Sequence, residues 1–426
     1  MLSIEFERHR LDNGLTVVLS PDRRVPVVAV NLWYRVGSRN EREGRTGFAH
    51  LFEHMMFQGS AHVPKNRHFE LVEKAGGTLN ASTWFDRTNY FETLPSHHLS
   101  LALWLESDRM GWFLPAITQE KLDNQRGVVL NERKQRYENQ PYGDWDERMQ
   151  RLLFPPEHPY HHTVIGSVED IESATLDDVE EFFRTFYTPN NAVLTICGDF
   201  DETGAMELVE EHFGEIPRSA PPPPVPGTVE IPLKVGETRS ERVPSQVPLP
   251  RSYIGFRIPS FHDDRYHAAQ VTAAVLGDGK ASRIYRSLVR EKRVAKDVVS
   301  YAFPLTTGVS MLLLGVTGHS ATDPDVLEAE VFREVEALGS VERREVERAV
   351  ALEETRLVGE LEQVASRADL LSLFQTHFDD PGRLNGELDR IRAVSPQDVG
   401  NFSRELLQDD NRVVVTYVPE EPREEE

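Results

Sequence analysis

Apolar residues recur along this chain with two different periods. At Leu15–Leu19 and Val27–Val36 they alternate or run β-branched, bounded by Asn13-Gly14 and Pro21-Asp22, which is the pattern of two strands paired with each other. From Phe48 to Phe57, Leu99 to Trp112, Lys121 to Tyr137 and Leu176 to Phe186 the spacing becomes helical. Helical spacing returns at Tyr266–Leu276, at Ser282–Arg290 and through the long Asp325–Glu360 region. Strands and helices that cluster, without strict alternation, predict an α+β chain with largely antiparallel sheets packed with helices.

Two stretches far apart share one pattern. LDDVEEFFRTFYTPNNAVLTICGD (Leu176–Asp199) and PQDVGNFSRELLQDDNRVVVTYVP (Pro396–Pro419) align at a constant offset of 220, matching Asp178 to Asp398, Phe182 to Phe402 and Asn191 to Asn411. Each reads as a capped amphipathic helix, an Asn-containing turn and a β-branched strand. Repetition at that length points to two structurally similar domains and not to a solenoid, whose period is ~20–50 residues. Ten of the 27 prolines fall between Pro217 and Pro250, where fixed φ and missing donors predict an extended connector. The expected division is an N-terminal domain 1–218, a linker 219–250, a related C-terminal domain 251–420 and an acidic tail 421–426.

The chemistry concentrates in GFAHLFEHMMFQGS (Gly47–Ser60). Phe48, Leu51, Phe52 and Met55 form the apolar face of a helix, and His50, Glu53 and His54 cluster on the opposite side. His50 and His54 are one turn apart, so both imidazoles can reach a single ion. This H-x-x-E-H spacing is the inverted form of the zinc-peptidase helix motif, in which the glutamate takes a proton from the attacking water and returns it to the leaving amine. A third ligand is needed, and Glu132 shares one helical face with Leu122, Gln125 and Val129. An inward carboxylate needs a metal or a cationic partner, and on spacing alone those two roles for Glu132 stand level.

Composition narrows the classes. With 47 Lys+Arg against 70 Asp+Glu, the net charge of −23 argues against nucleic acid or an anionic membrane as the main partner. The single cysteine, Cys197, excludes an internal disulfide and reads as a small core residue. No apolar run approaches the ~20 residues of a membrane span, and the first residues lack a basic-then-apolar leader pattern, so the expected location is cytoplasmic. His158, His161 and His162 read as packing or surface histidines, and GDGKAS (Gly277–Ser282) lacks the spacing of a phosphate loop.

Several segments, in order, resemble the pitrilysin/insulinase family of inverted-motif zinc peptidases, closest in size to its mitochondrial-processing-peptidase-like branch. They are LDNGLTVVLSPDRRVPVVAVNLWYRVGSRNE, the metal helix above, GGTLNASTWFDRTNYFETLP (Gly76–Pro95), VVLNERKQRYENQPYG (Val128–Gly143), HPYHHTVIG (His158–Gly166) and GDGKASRIYRSLVREKR (Gly277–Arg293). The resemblance implies one Zn²⁺ per chain held by His50, His54 and Glu132, with Glu53 as general base. It also implies that Asn80-Ala81 lies on an edge strand that binds extended peptide, although by itself Asn80 reads as a turn residue.

Two positions depart from the family pattern. Gln125 stands where a supporting glutamate is common, which leaves an amide that can orient a neighbour without adding charge. In the C-terminal domain Arg290 takes the first place of an Arg/Tyr pair that binds the substrate carbonyl, but Asp297 stands at the tyrosine position. A carboxylate repels a developing oxyanion. The reading that follows is a zinc metalloendopeptidase acting on unfolded oligopeptides in a chamber completed by a second, family-related chain that supplies the Arg/Tyr pair. A heterodimer or heterotetramer is expected, with a homodimer as the variant. The alternatives are a non-catalytic structural subunit of the same fold and a metal-storing or metal-sensing protein.

Overall fold

The structure is a computed structural model that describes residues 3–420; the acidic tail expected at 421–426 lies outside them. Two compact units form. The first takes the residues through Glu132, Thr163–Pro226 and Val358–Gly386, and the second takes Arg133–His162, Gly227–Leu357 and the residues from Glu387 onward. The units therefore cross the contiguous halves 1–218 and 251–420, because each half gives one segment to the other unit. The helix Trp145–Leu153 packs on the second unit's sheet, and the helix Val364–Phe378 packs on the first unit's.

Among the described residues the first unit holds a six-stranded sheet: β1 (Glu7–Arg10), β2 (Thr16–Pro21), β3 (Val27–Tyr34), β4 (Thr78–Thr83), β5 (Thr88–Pro95) and β6 (Ala192–Gly198), in the order β1-β2-β6-β3-β5-β4. The second holds β7 (Arg239–Ser245), β8 (Arg251–Pro259), β9 (Ala295–Ala302), β10 (Val309–Gly318) and β11 (Arg412–Pro419), in the order β7-β11-β8-β10-β9. Apart from β1, the two orders are the same arrangement repeated, with one parallel pair in each (β2–β6 and β7–β11) among antiparallel neighbours. The 220-residue offset is thus a repeat of whole sheets. It extends to helix starts: Thr175 and Asp178 cap one helix reciprocally, and Ser395 and Asp398 cap its counterpart.

Four local expectations are corrected. The strands at 15–19 and 27–36 do not pair with each other, because β6 lies between β2 and β3. Every residue of β6 is buried, and such a strand belongs at the sheet centre whatever its place in the chain. The proline-rich stretch is not connector throughout: its later part forms β7, an edge strand, where Pro244 is tolerated because an edge leaves donors unused. The long helical region splits into Pro324–Glu336 and Arg343–Glu362, and the Ser282–Arg290 helix becomes a widened π turn over Tyr285–Glu291.

The first sheet is covered on both faces. Asn31, Trp33 and Asn89 turn toward Asp369 of the helix Val364–Phe378. Tyr90, of opposite parity, turns toward the helix Leu99–Trp112 and lies 4.1 Å under the Arg109 guanidinium. No helix among the described residues is long and apolar enough to cross a membrane.

Candidate metal and peptide site

The site begins with how the helix Phe48–Met55 is fixed. Its N-terminus sits on Gly47, whose φ of 81° and close approach to the Ile165 carbonyl admit no side chain. The buried Glu41 carboxylate accepts from the Gly47 and Ala49 amides at 2.9 and 2.7 Å, satisfying donors that the helix leaves open. Phe52 packs against Phe113, Phe182 and Tyr187, with ring centroids 4.3–5.4 Å away. With that face locked in the core, the opposite face can point only one way.

Glu132 arrives near the end of the helix Gln119–Arg133, on the face buried through Leu122, Gln125 and Val129. Its Oε2 lies 3.7 Å from His50 Nε2 and 3.4 Å from His54 Nε2. One ligand atom from each of the three residues falls within 4.8 Å of the others, and no other such group of three occurs among the described residues. A tetrahedral ion with bonds of about 2.0–2.1 Å holds neighbouring ligand atoms about 3.3 Å apart. Two imidazole nitrogens and one carboxylate at this spacing therefore fit zinc, with one coordination position left over.

Glu53 lies beside the trio, partly exposed yet deep enough that burial raises its carboxyl above the usual range. The Thr83 hydroxyl, the His54 imidazole and the Arg87 guanidinium partly offset that rise. Thr83 Oγ1 donates to Glu53 Oε2 at 2.5 Å. Periodicity did not single out Thr83; the available signal was that it lies two residues beyond Ala81 and so shares its strand face.

The remaining predicted residues divide between the units. Asn80 and Ala81 lie on β4, which among the described residues pairs only with β5 and forms the sheet edge, and the helix Phe48–Met55 packs against it. Asn80 is exposed and its Oδ1 accepts from the Ala81 amide at 2.9 Å. Gln125 is buried, but its amide donates to Asn124 and makes no hydrogen bond to His50, His54 or Glu132. Arg290 belongs to the second unit, its guanidinium 5.8 Å from the Tyr285 ring centre. Asp297 lies on β9, accepting from Thr317 Oγ1 at 2.9 Å. Of the three histidines read as packing or surface residues, His158 is buried and stacks on Phe154.

The family model for insulinase, peptidase family M16, matches residues 16–150, and the model described as the M16 peptidase inactive domain matches residues 173–352. The Helicobacter pylori protein named zinc protease PqqE is 30% identical over 421 residues, covering 97% of this chain and 93% of its own. The chain belongs to the M16 peptidase family. An uncharacterized zinc protease of Bacillus subtilis, YmxG, is 23% identical over 95% of this chain and 96% of its own. Among solved structures, a protease from Helicobacter pylori superposes with a TM-score of 0.91 at 28% identity, covering 98% of this chain and all of that one. The M16 match to 16–150 contains all four residues of the cluster, His50, Glu53, His54 and Glu132.

Proposed function

We propose that this chain is a zinc-dependent endopeptidase that hydrolyses unfolded oligopeptides. The observation that carries the reading is the convergence of His50, His54 and Glu132 within 4.8 Å, with the Glu53 carboxylate beside them. Zinc bound there would lower the pKa of a water to about 7 and polarise the scissile carbonyl. Glu53 is the base: with Oε2 engaged by Thr83, Oε1 takes the proton of the attacking water and later delivers it to the leaving amine.

Substrate adds as a strand to the exposed edge of β4, along Asn80 and Ala81. Main-chain hydrogen bonds give affinity that is tolerant of sequence but requires an extended chain. The carbonyl-binding Arg/Tyr pair comes from a second family-related chain, since Asp297 occupies the tyrosine position and Arg290 stands without it. The two chains together enclose the substrate. The test is metal analysis and turnover of a quenched fluorescent, unstructured peptide, with and without a co-purified partner. One zinc per chain is expected, and Glu53→Gln keeps the metal while losing about 10²–10⁴-fold in kcat. Wild-type turnover by Glu53→Gln overturns the reading.

A further inference from the structure

We propose that Thr83 is the residue that aims Glu53, and that it does so from the strand on which substrate lies. The inference rests on the peptidase reading above. A glutamate reaches its site through three rotatable bonds, and a general base must hold one oxygen on the reacting water. Among the described residues, the hydrogen bond from Thr83 Oγ1 to Oε2 is the one made to the Glu53 carboxylate. It fixes the carboxylate plane and leaves Oε1 free for proton transfer.

Thr83 is itself held closely. It closes β4, opposite Thr88 in register, and Thr88 is anchored in turn by its hydroxyl to the Val36 carbonyl at 2.9 Å. In the turn that follows, the Trp84 amide donates to the Arg87 carbonyl at 2.8 Å. Arg87 reaches back, Nη1 donating to the Ser82 carbonyl and hydroxyl at 2.8 and 2.5 Å, while its guanidinium lies 5.2 Å from the Trp33 ring centre. One side of the Ser82–Thr83 backbone is therefore clamped, and the other is the open sheet edge. A peptide pairing along β4 orders that second side, so the occupied strand and the aimed base are one mechanical element. Threonine's branched Cβ narrows χ1 and makes the hydroxyl direction a property of the strand.

Strand preference alone does not account for this residue. Valine matches the shape of threonine and favours strands at least as well, so a structural role is satisfied by Thr83→Val. Serine keeps the hydroxyl and loses the branch. The expected outcome for Thr83→Val is a kcat about 10–100-fold lower with KM and zinc content unchanged, and Thr83→Ser regains most of that loss. Crystal structures of zinc-loaded wild type and Thr83→Val are expected to show the Glu53 carboxylate displaced only in the variant. Wild-type kcat in Thr83→Val, equal losses in Val and Ser, or an unmoved Glu53 carboxylate in the variant overturns the proposal. Should Glu53→Gln prove as active as wild type, the peptidase reading falls, and the Thr83 assignment is decided by the Glu53 position in the two structures.

Discussion

In the second unit Gln270 Nε2 donates to Glu353 Oε2 at 2.8 Å. At the 220-residue offset Gln270 corresponds to His50, Ala273 to Glu53 and Ala274 to His54. The second unit keeps the helix that follows β8, as the first keeps the helix that follows β3, yet has neither histidine nor glutamate at those three positions. Glu353 is buried, which raises its carboxyl, and Arg356 Nη1 also donates to it at 2.9 Å. An amide and a guanidinium satisfy a carboxylate here, where in the first unit two imidazoles face one.

The two carboxylates therefore respond differently to substitution. Glu132→Ala removes the one oxygen donor of the trio and is expected to lower the metal content from one zinc per chain toward none. Glu353→Gln is expected to leave zinc at one per chain and to cost stability only, about 1–3 kcal/mol for the disturbed buried network. Elemental analysis after dialysis against a weak chelator separates them. Full zinc retention by Glu132→Ala would remove Glu132 from the ligand set.

The contrast also marks what local pattern could reveal. The metal helix was legible because its signal lies within one element, three polar residues set against four apolar ones. The repeat was legible through residues matched at one constant offset, Asp178 with Asp398, Phe182 with Phe402 and Asn191 with Asn411. The exchange of Trp145–Leu153 and Val364–Phe378 was not, since an amphipathic helix encodes that it has a buried face but not which sheet covers it. The place of β6 between β2 and β3 depends on a strand more than 150 residues away from either. Thr83 was hidden for a related reason: a threonine in a strand fits the strand pattern, and only its contact with Glu53 distinguishes it.

Asp369 measures what the exchanged helix contributes. Its Oδ1 accepts from Asn31 Nδ2 at 3.1 Å, Trp33 Nε1 at 3.0 Å and Asn89 Nδ2 at 3.1 Å, tying β3 and β5 to a helix that follows them by more than 260 residues. All three donors belong to buried residues. Asp369→Leu removes their shared acceptor, leaving Asn89 only its bond to Asn31 Oδ1, and is expected to cost about 2–4 kcal/mol, read from urea unfolding followed by tryptophan fluorescence. A loss below about 0.5 kcal/mol would show that the packing of the helix holds the sheet without this node.

His68 gives the fold a defined acid sensitivity. It is 1% exposed, and burial, aided by the neighbouring Arg109 charge, pushes its pKa down to about 3. An unfolded histidine binds its proton near 6.5, so between about pH 6.5 and 3 the unfolded chain carries the extra proton and stability falls as pH is lowered. Between pH 7 and pH 5 this contribution is about 2 kcal/mol. Urea midpoints of wild type are therefore expected to drop more steeply over that window than those of His68→Leu. Parallel slopes would mean that His68 is protonated in the folded protein.

Asp297 bears on whether the chain works alone. Its carboxylate lies on β9, held by the Thr317 hydroxyl, at the position where active family members are expected to place a tyrosine. A tyrosine hydroxyl donates to a developing oxyanion and a carboxylate repels it; loss of one such donor typically costs about 10²–10³-fold in kcat. If a partner chain supplies the pair, the isolated chain is slow for want of a donor. Asp297→Tyr should then raise its kcat/KM by up to that factor, while adding little once the partner is present. Full activity of the isolated wild-type chain, with no gain from Asp297→Tyr, would show that another group already binds the carbonyl and that no partner is needed for the chemistry.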